Sequence, residues 1–341
     1  MIRIALVICL VGSLPLLAGS DDHWKAILAL DAGPRQKPAT AGEAREAALR
    51  HLALQRSSLE EFLEKYPRDS RAWEARLRLA SVLATLGMTG PDIRQLRAAR
   101  QLYSAIAENP SAPSSARADA AFRKASLAMQ EADASSPKGR EAIVAAARAF
   151  HLAHPGDIRG PRILVEAATV CDGDPKLKRA LLDRALADSS EPALRARIAD
   201  DLRRLDLLGK ALDLSIPALK GGTLELAALR GNPVILIFWS SESPQSLLWL
   251  RDFRTAWESA PRRPRVVAIS LDRRKSDAFE RAQLFPSEWL AAYEPGGWEA
   301  PTARRLGINA LPTVWIVDAE GRLRSLNARA DWQQQLAGLS R

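Results

Sequence analysis

Cysteine is nearly absent from this chain of 341 residues, with only Cys9 and Cys171, and Cys9 lies inside an apolar N-terminal stretch. A mature chain with one thiol cannot close an internal disulfide, build a cysteine zinc knuckle or carry a dithiol redox centre. Histidine is scarce as well: the four residues are His23, His51, His151 and His154, and none follows Gly209. That removes the usual base for a serine nucleophile from the C-terminal third of the chain. His151 and His154 have no acidic or thiol neighbours in sequence and are expected at the surface. Glycine and proline, at 19 and 21 residues, are too few for a low-complexity chain. Apart from the N-terminus, no apolar run is long enough to cross a bilayer.

What is present describes an ordinary globular protein of two domains, with 47% hydrophobic and 26% charged residues. The net charge of +9 is spread evenly. Residues 21–209 hold 30 basic against 26 acidic side chains, and residues 210–341 hold 18 against 14. A diffuse excess of this kind does not mark a nucleic-acid surface, so no nucleic-acid partner is expected. The short runs Arg262-Arg263-Pro264-Arg265 and Arg273-Arg274-Lys275 read as solvated loops.

Met1-Ile2-Arg3, an apolar run from Ile4 to Ala18, and Ala18-Gly19-Ser20 before Asp21-Asp22 form a signal-peptide layout over residues 1–20. An uncleaved anchor is the alternative. Pro15 and the short run favour cleavage, leaving no membrane span. Ile8 is too large for the lipobox position before Cys9, which argues against a lipoprotein. The expected location is therefore the periplasm of a bacterial envelope.

Residues 21–208 are rich in Ala, Leu and Arg, a helical composition. Ala72, Ala75, Leu79, Val82, Leu83 and Leu86 share one helical face, with Gly87 expected as the stop. Phe62-Leu63-Glu64-Lys65-Tyr66-Pro67-Arg68-Asp69 is similar to Phe150-His151-Leu152-Ala153-His154-Pro155-Gly156-Asp157, and Asn109-Pro110 lies between them. Prolines spaced by 43 and 45 residues between helical stretches give a helix-turn-helix repeat length. These segments resemble tetratricopeptide-type repeats; a plain helical bundle is the alternative.

The period changes after Gly209, and seven of the nine Trp lie beyond it. Leu212–Ile216 alternates as a strand. Val234-Ile235-Leu236-Ile237-Phe238-Trp239 reads as a strand buried on both faces, and Leu247, Leu250, Phe253 and Trp257 follow helical spacing. Val266–Leu271 and Trp289–Tyr293 are further strands, with helices at Ser276–Leu284 and Thr302–Leu306 between and after them. Thr313–Val317, Asp318–Gly321 and Leu323–Leu326 form a hairpin, and Trp332–Leu339 closes as a helix. The fold class is an all-α repeat or bundle (21–208) followed by an α/β domain (209–341) with a mixed central sheet flanked by helices.

The segments Gly209–Leu214, Leu229–Val234, Phe238-Trp239, Gly307–Thr313 and Val317–Leu323 resemble the thioredoxin-like, TlpA-like and AhpC/TSA-related family. The resemblance implies a redox Cys-x-x-Cys at the helix start after Phe-Trp. There the helix end would stabilise a thiolate and the second cysteine would resolve a mixed disulfide. Here the stretch is Trp239-Ser240-Ser241-Glu242-Ser243-Pro244-Gln245-Ser246, and the cysteine positions fall on Ser243 and Ser246. Ile237 stands where relatives often carry a buried Asp, and Glu242 where an aromatic is common. Ser243 is expected as an N-cap, Pro244 at the first helical position, and Ser246 as a residue returning a hydrogen bond.

Leu311-Pro312 matches the family's cis-proline turn, whose preceding residue presents its backbone to an extended substrate. Trp239, Glu242, Ser243, Pro244, Gln245, Ser246, Leu311 and Pro312 are therefore the candidate peptide groove. No catalytic residue, cofactor or metal is assigned. The expected function is binding of a protein or peptide in the envelope. Thiol-disulfide exchange with partner thiols or through Cys171 is the runner-up. A basic adaptor for anionic surfaces rests on charge alone.

Overall fold

The computed structural model describes residues 19–34, 38–90 and 92–339. The leader assigned to residues 1–20 lies outside them except for Gly19 and Ser20. Among the described residues no helix is long and apolar enough to cross a membrane. The chain forms two compact units that divide between Glu131 and Ala132.

The first unit contains α1 (Ser20–Ala29), α2 (Ala41–Lys65), α3 (Ala72–Thr89), α4 (Arg94–Ala107) and α5 (Ser114–Glu131). Neighbouring helices pack in sequence around Phe62, Ala75, Leu83, Ala99 and Ile106, all buried. Gly87 does not stop α3, which continues to Thr89. A Cβ there would come within 2.5 Å of Leu96, so the glycine lets α4 approach closely.

The second unit opens with α6 (Pro137–Ala153), α7 (Arg159–Ala168), α8 (Pro175–Asp188) and α9 (Pro192–Leu207). Gly209, two residues past the end of α9, has a left-handed φ of 77°. The composition break at Gly209 thus falls within this unit, and α6–α9 group with the sheet that follows.

The similarity of residues 62–69 to 150–157 is structural. Tyr66 and His154 terminate their helices with φ/ψ of −128°/55° and −127°/63°. Arg71 and Arg159 each return a backbone N–H and a guanidinium to the carboxylate two residues earlier, Asp69 and Asp157. Each arginine also lies over the preceding phenylalanine, 5.8 Å from the Phe62 ring and 5.9 Å from the Phe150 ring. Asp92 and Arg94 repeat the Asp-x-Arg turn at the start of α4. These arginines hold the carboxylates low: Asp69 lies well below the usual range, Asp92 falls to about 2, and Asp157 is also depressed.

His151 is buried at 9% exposure, against the surface position expected from sequence. Its Nε2 lies 2.9 Å from Asp188 Oδ2 and 3.0 Å from Arg184 Nε. A Cβ at residue 160 would lie 2.7 Å from His151 Nδ1, so Gly160 makes room for the ring.

The remainder comprises β1 (Ser215–Pro217), β2 (Thr223–Glu225), β3 (Val234–Trp239), α10 (Pro244–Glu258), β4 (Arg265–Ser270), α11 (Lys275–Ala282), β5 (Leu290–Tyr293), α12 (Pro301–Leu306), β6 (Thr313–Val317), β7 (Leu323–Ser325) and α13 (Trp332–Leu339). Strands β1 and β2 form a small antiparallel ribbon. The main sheet has the order β5-β4-β3-β6-β7, with β3 parallel to β4 and antiparallel to β6. Central β3 is buried at every position, as its uninterrupted apolar run requires.

Leu236, Phe238 and Trp315 face a core completed by the β1–β2 ribbon and α12. Ile235, Ile237 and Trp239 face a second core with α10 and α13. The chain between α9 and β2 touches both margins of the sheet. Gly209 and Leu212 donate to Leu323 and Gly321 beside β7, and Leu219 donates to Ala291 on β5. The mixed sheet covered on both faces is the architecture expected from sequence, and its topology is thioredoxin-like.

Candidate functional site

The carboxyl ends of parallel β3 and β4 open at one edge of the sheet, where α/β folds place their sites. The chain leaving β3 turns through Ser240–Ser243 into α10. Ser243 is the N-cap: its Oγ accepts from Ser246 N–H at 3.2 Å, and Pro244 takes the first helical turn. Ser246 does not return the hydrogen bond expected of it. Its side chain is fully buried and its Oγ has no partner. The two positions that the family resemblance would give to cysteine are therefore used locally, Ser243 as a cap and Ser246 as packing. Glu242, Pro244 and Gln245 are exposed.

The turn is fastened by a carboxylate that the sequence did not reveal. Asp272, two residues past β4, is 1% exposed. Its Oδ1 accepts from Ser240 Oγ at 2.7 Å, Ser241 N at 2.7 Å and Ser241 Oγ at 2.9 Å, and its Oδ2 accepts from Ser270 Oγ at 2.8 Å. Ser240 Oγ in turn accepts from Glu242 N–H. A lone buried carboxylate is costly unless donors surround it, and here four do. The available signal was the pair of short serine motifs, Ser240-Ser241 and Ser270-Leu271-Asp272, at the ends of two adjacent buried strands. Nearby Tyr293 has its phenol pushed up by burial and by the charges of Asp272 and Asp277.

Trp239 does not line a groove. It is fully buried beneath the turn, edge-on to Phe285 at 5.2 Å, because β3 is covered on both faces. Ile237 is likewise core, so the position supplies no proton acceptor.

The second loop at this end precedes β6. The Leu311–Pro312 bond is cis. Thr313 pairs with Phe238, which brings Pro312 to the end of β3 where the Ser240 turn begins. Thr313 Oγ1 donates to Ala310 O at 2.7 Å. Among the described residues, Leu311 makes no backbone hydrogen bond. Its side chain is partly buried against the core. Upstream, Arg204 of α9 donates to Gly307 O and Asn309 Oδ1, each at 2.6 Å, and pairs with Asp201.

Cys171 is distant in role from this edge. It is 5% exposed, its Sγ donates to Ala167 O, and burial pushes its thiol up. Among the described residues, no group of three or more His, Cys, Asp or Glu is placed to hold a metal ion.

Residues 208–326 match the AhpC/TSA family. No curated protein matches the chain. Solved structures similar to it include a candidate thiol:disulfide interchange protein DsbE from Chlorobium tepidum. That protein is 26% identical over 39% of this chain and 97% of its own, with a TM-score of 0.32. A thioredoxin-like protein from Bacteroides caccae is 16% identical over 64% of this chain and 82% of its own, with a TM-score of 0.41. A secreted thiol-disulfide isomerase from Corynebacterium glutamicum is 18% identical over 38% and 86%, with a TM-score of 0.32. The sheet order, the Ser243 helix start and the Leu311–Pro312 loop are those of a thioredoxin-like fold, and the stretch that carries them, residues 208–326, is similar to the AhpC/TSA family.

Proposed function

We propose that this chain is an exported, non-catalytic thioredoxin-like protein that binds an extended peptide or protein segment at the Leu311–Pro312 loop in the bacterial envelope. The observation that carries this reading is the fate of the two sulfur positions. A thiol pair there would exchange with a substrate disulfide, whereas Ser243 caps a helix and Ser246 is buried. A serine hydroxyl does not cycle through a disulfide, and no histidine follows Gly209 to activate it.

Binding is supported by the loop opposite. The unpaired Leu311 backbone offers one donor and one acceptor to an extended strand, the pairing used in β-strand addition. Glu242, Pro244 and Gln245, at the turn and helix start that follow β3, are exposed. The helical region of residues 21–208, which resembles tetratricopeptide-type repeats, would offer helix surfaces for further contacts. Export rests on the leader-like residues 1–20. Thiol exchange through Cys171 is opposed by its burial and raised thiol.

The mature chain is expected to give no catalysed insulin reduction. Turnover at the rate of a dithiol relative would overturn the non-catalytic reading. Peptides captured from an array should slow hydrogen exchange at Asn309–Leu311. Protection confined to residues 21–208 would move the binding surface to the helices.

A further inference from the structure

A cavity of about 220 Å³ opens between α9 and the loop that carries Pro312. It is far larger than the roughly 30 Å³ that one water occupies in the liquid. Its walls hold four cationic side chains, Lys178, Arg197, Arg204 and Arg329, and two carboxylates, Asp172 and Asp201. Both carboxylates are already engaged. Asp172 pairs with Lys178 and accepts from Asn327 Nδ2 at 2.7 Å. Asp201 pairs with Arg204 and accepts from Asn309 Nδ2 at 3.2 Å.

What remains is positive. Among the described residues, Arg197 on α9 and Arg329 after β7 have no ion-pair or hydrogen-bond partner for their guanidinium groups, and both are exposed. A further donor is unspent: Trp315 lines the cavity, is fully buried, and its Nε1 has no hydrogen-bond partner. The polar groups left over are donors, two of them charged. Water satisfies exposed guanidinium groups, but a carboxylate fits their planar fork far better and loses less in partial burial.

We propose that this cavity is a carboxylate pocket that takes an acidic group of the peptide bound at Leu311. The proposal rests on the groove reading above and names the partner's chemistry: an extended segment with an Asp, a Glu or a free C-terminus close to the residue paired with Leu311. A peptide fits better than a free anion because Pro312 and Thr313 form part of the cavity wall. Ala310 lines it as well, so the cavity adjoins the residues on either side of the proposed pairing position, Leu311. Arg204, tied to Gly307 and Asn309, holds the wall in place and is already paired. Arg197 and Arg329 do the recognising.

The test uses the full mature chain and fluorescein-labelled heptapeptides of alanine and glycine. One carries a central Glu with an amidated end, one a central Gln with an amidated end, and one a central Gln with a free C-terminal carboxylate. By fluorescence polarisation at low salt, the pocket predicts that at least one carboxylate-bearing peptide binds about tenfold tighter than the neutral one, the gain of one charge-assisted bidentate pair. The Glu and free-terminus arms distinguish side-chain from terminal carboxylate. Arg197→Gln with Arg329→Gln should remove the advantage and leave thermal unfolding unchanged, since both side chains are exposed. Equal affinity for all three peptides, or an advantage that survives the double substitution, overturns the pocket. In either case, protection of Leu311 by the neutral peptide would keep the groove reading standing, and failure of every peptide to bind would overturn the pocket.

Discussion

Two loops meet at the carboxyl end of β3, and they are built on opposite principles. The Ser240–Ser243 turn uses its polar groups internally: its two serine hydroxyls and one backbone N–H are drawn onto Asp272, and the Ser243 hydroxyl caps α10. The Asn309–Thr313 loop is anchored at its ends, through Arg204 and Asp201 at Asn309 and through Thr313, and among the described residues it leaves the Leu311 backbone unpaired. In a dithiol protein the first loop must present reactive atoms. Here the hydroxyls of Ser240, Ser241 and Ser243 are spent within the turn, whereas the Leu311 backbone has no partner among the described residues. The difference is why the proposed binding is assigned to the second loop rather than to the first.

The contrast predicts a ranking of substitutions. Most of the tryptophans lie in this domain, so denaturant unfolding followed by tryptophan fluorescence reads it directly. Asp272→Ala should cost most, about 3 kcal/mol, because it strands the buried donors of Ser240, Ser241 and Ser270 that its carboxylate now satisfies. Asp272→Asn, which keeps one acceptor, should cost about half as much. If Asp272→Ala is neutral, the first loop is not fastened as described.

Ser243→Ala should cost about 1 kcal/mol, the usual loss for a removed N-cap. Ser246→Ala should have the opposite sign, with a gain of up to about 1 kcal/mol, since it deletes a buried hydroxyl that has no partner. A loss at Ser246 equal to that at Ser243 would mean that its hydroxyl is bonded after all.

The smallest effect separates the Ser243 start from the Asp-x-Arg starts. The serine cap does not titrate, whereas Asp92 is held down to about 2 by Arg94, chiefly through the side-chain hydrogen bond. A carboxylate depressed on folding adds stability above its unfolded pKa near 3.9 and loses it as pH falls through the folded value. Helical ellipticity followed in thermal melts should therefore weaken between about pH 4 and pH 2. Asp92→Asn should flatten that dependence, and Ser243→Ala should leave it alone.

The sheet was legible because its signals are local: an unbroken apolar run for β3, a Ser-Pro helix start, and a hairpin marked by Asp318 and Gly321. The site was legible where the chain itself dictates geometry, as at Ser243 and at the cis bond. It failed where packing decides. Trp239 reads as a groove aromatic until neighbours on both faces of the sheet enclose it. Asp272 reads as a strand-end residue until the parallel ends of β3 and β4 bring three serines around it. His151 looks like a surface residue until α7 supplies a glycine at position 160 and α8 supplies Asp188. Gly87 looks like a stop until Leu96 is seen against it. Each depends on a partner far away in sequence.

The segment from Gly209 to Leu219 has a consequence for handling the domain. By bonding to Gly321 and Leu323 at one margin and to Ala291 at the other, it occupies backbone groups on both outermost strands. An open strand margin templates pairing with another molecule. A fragment that starts at Lys220 would keep the buried sheet and the candidate groove but expose two sticky borders, inviting self-association. One that starts at Gly209 would keep its borders sealed.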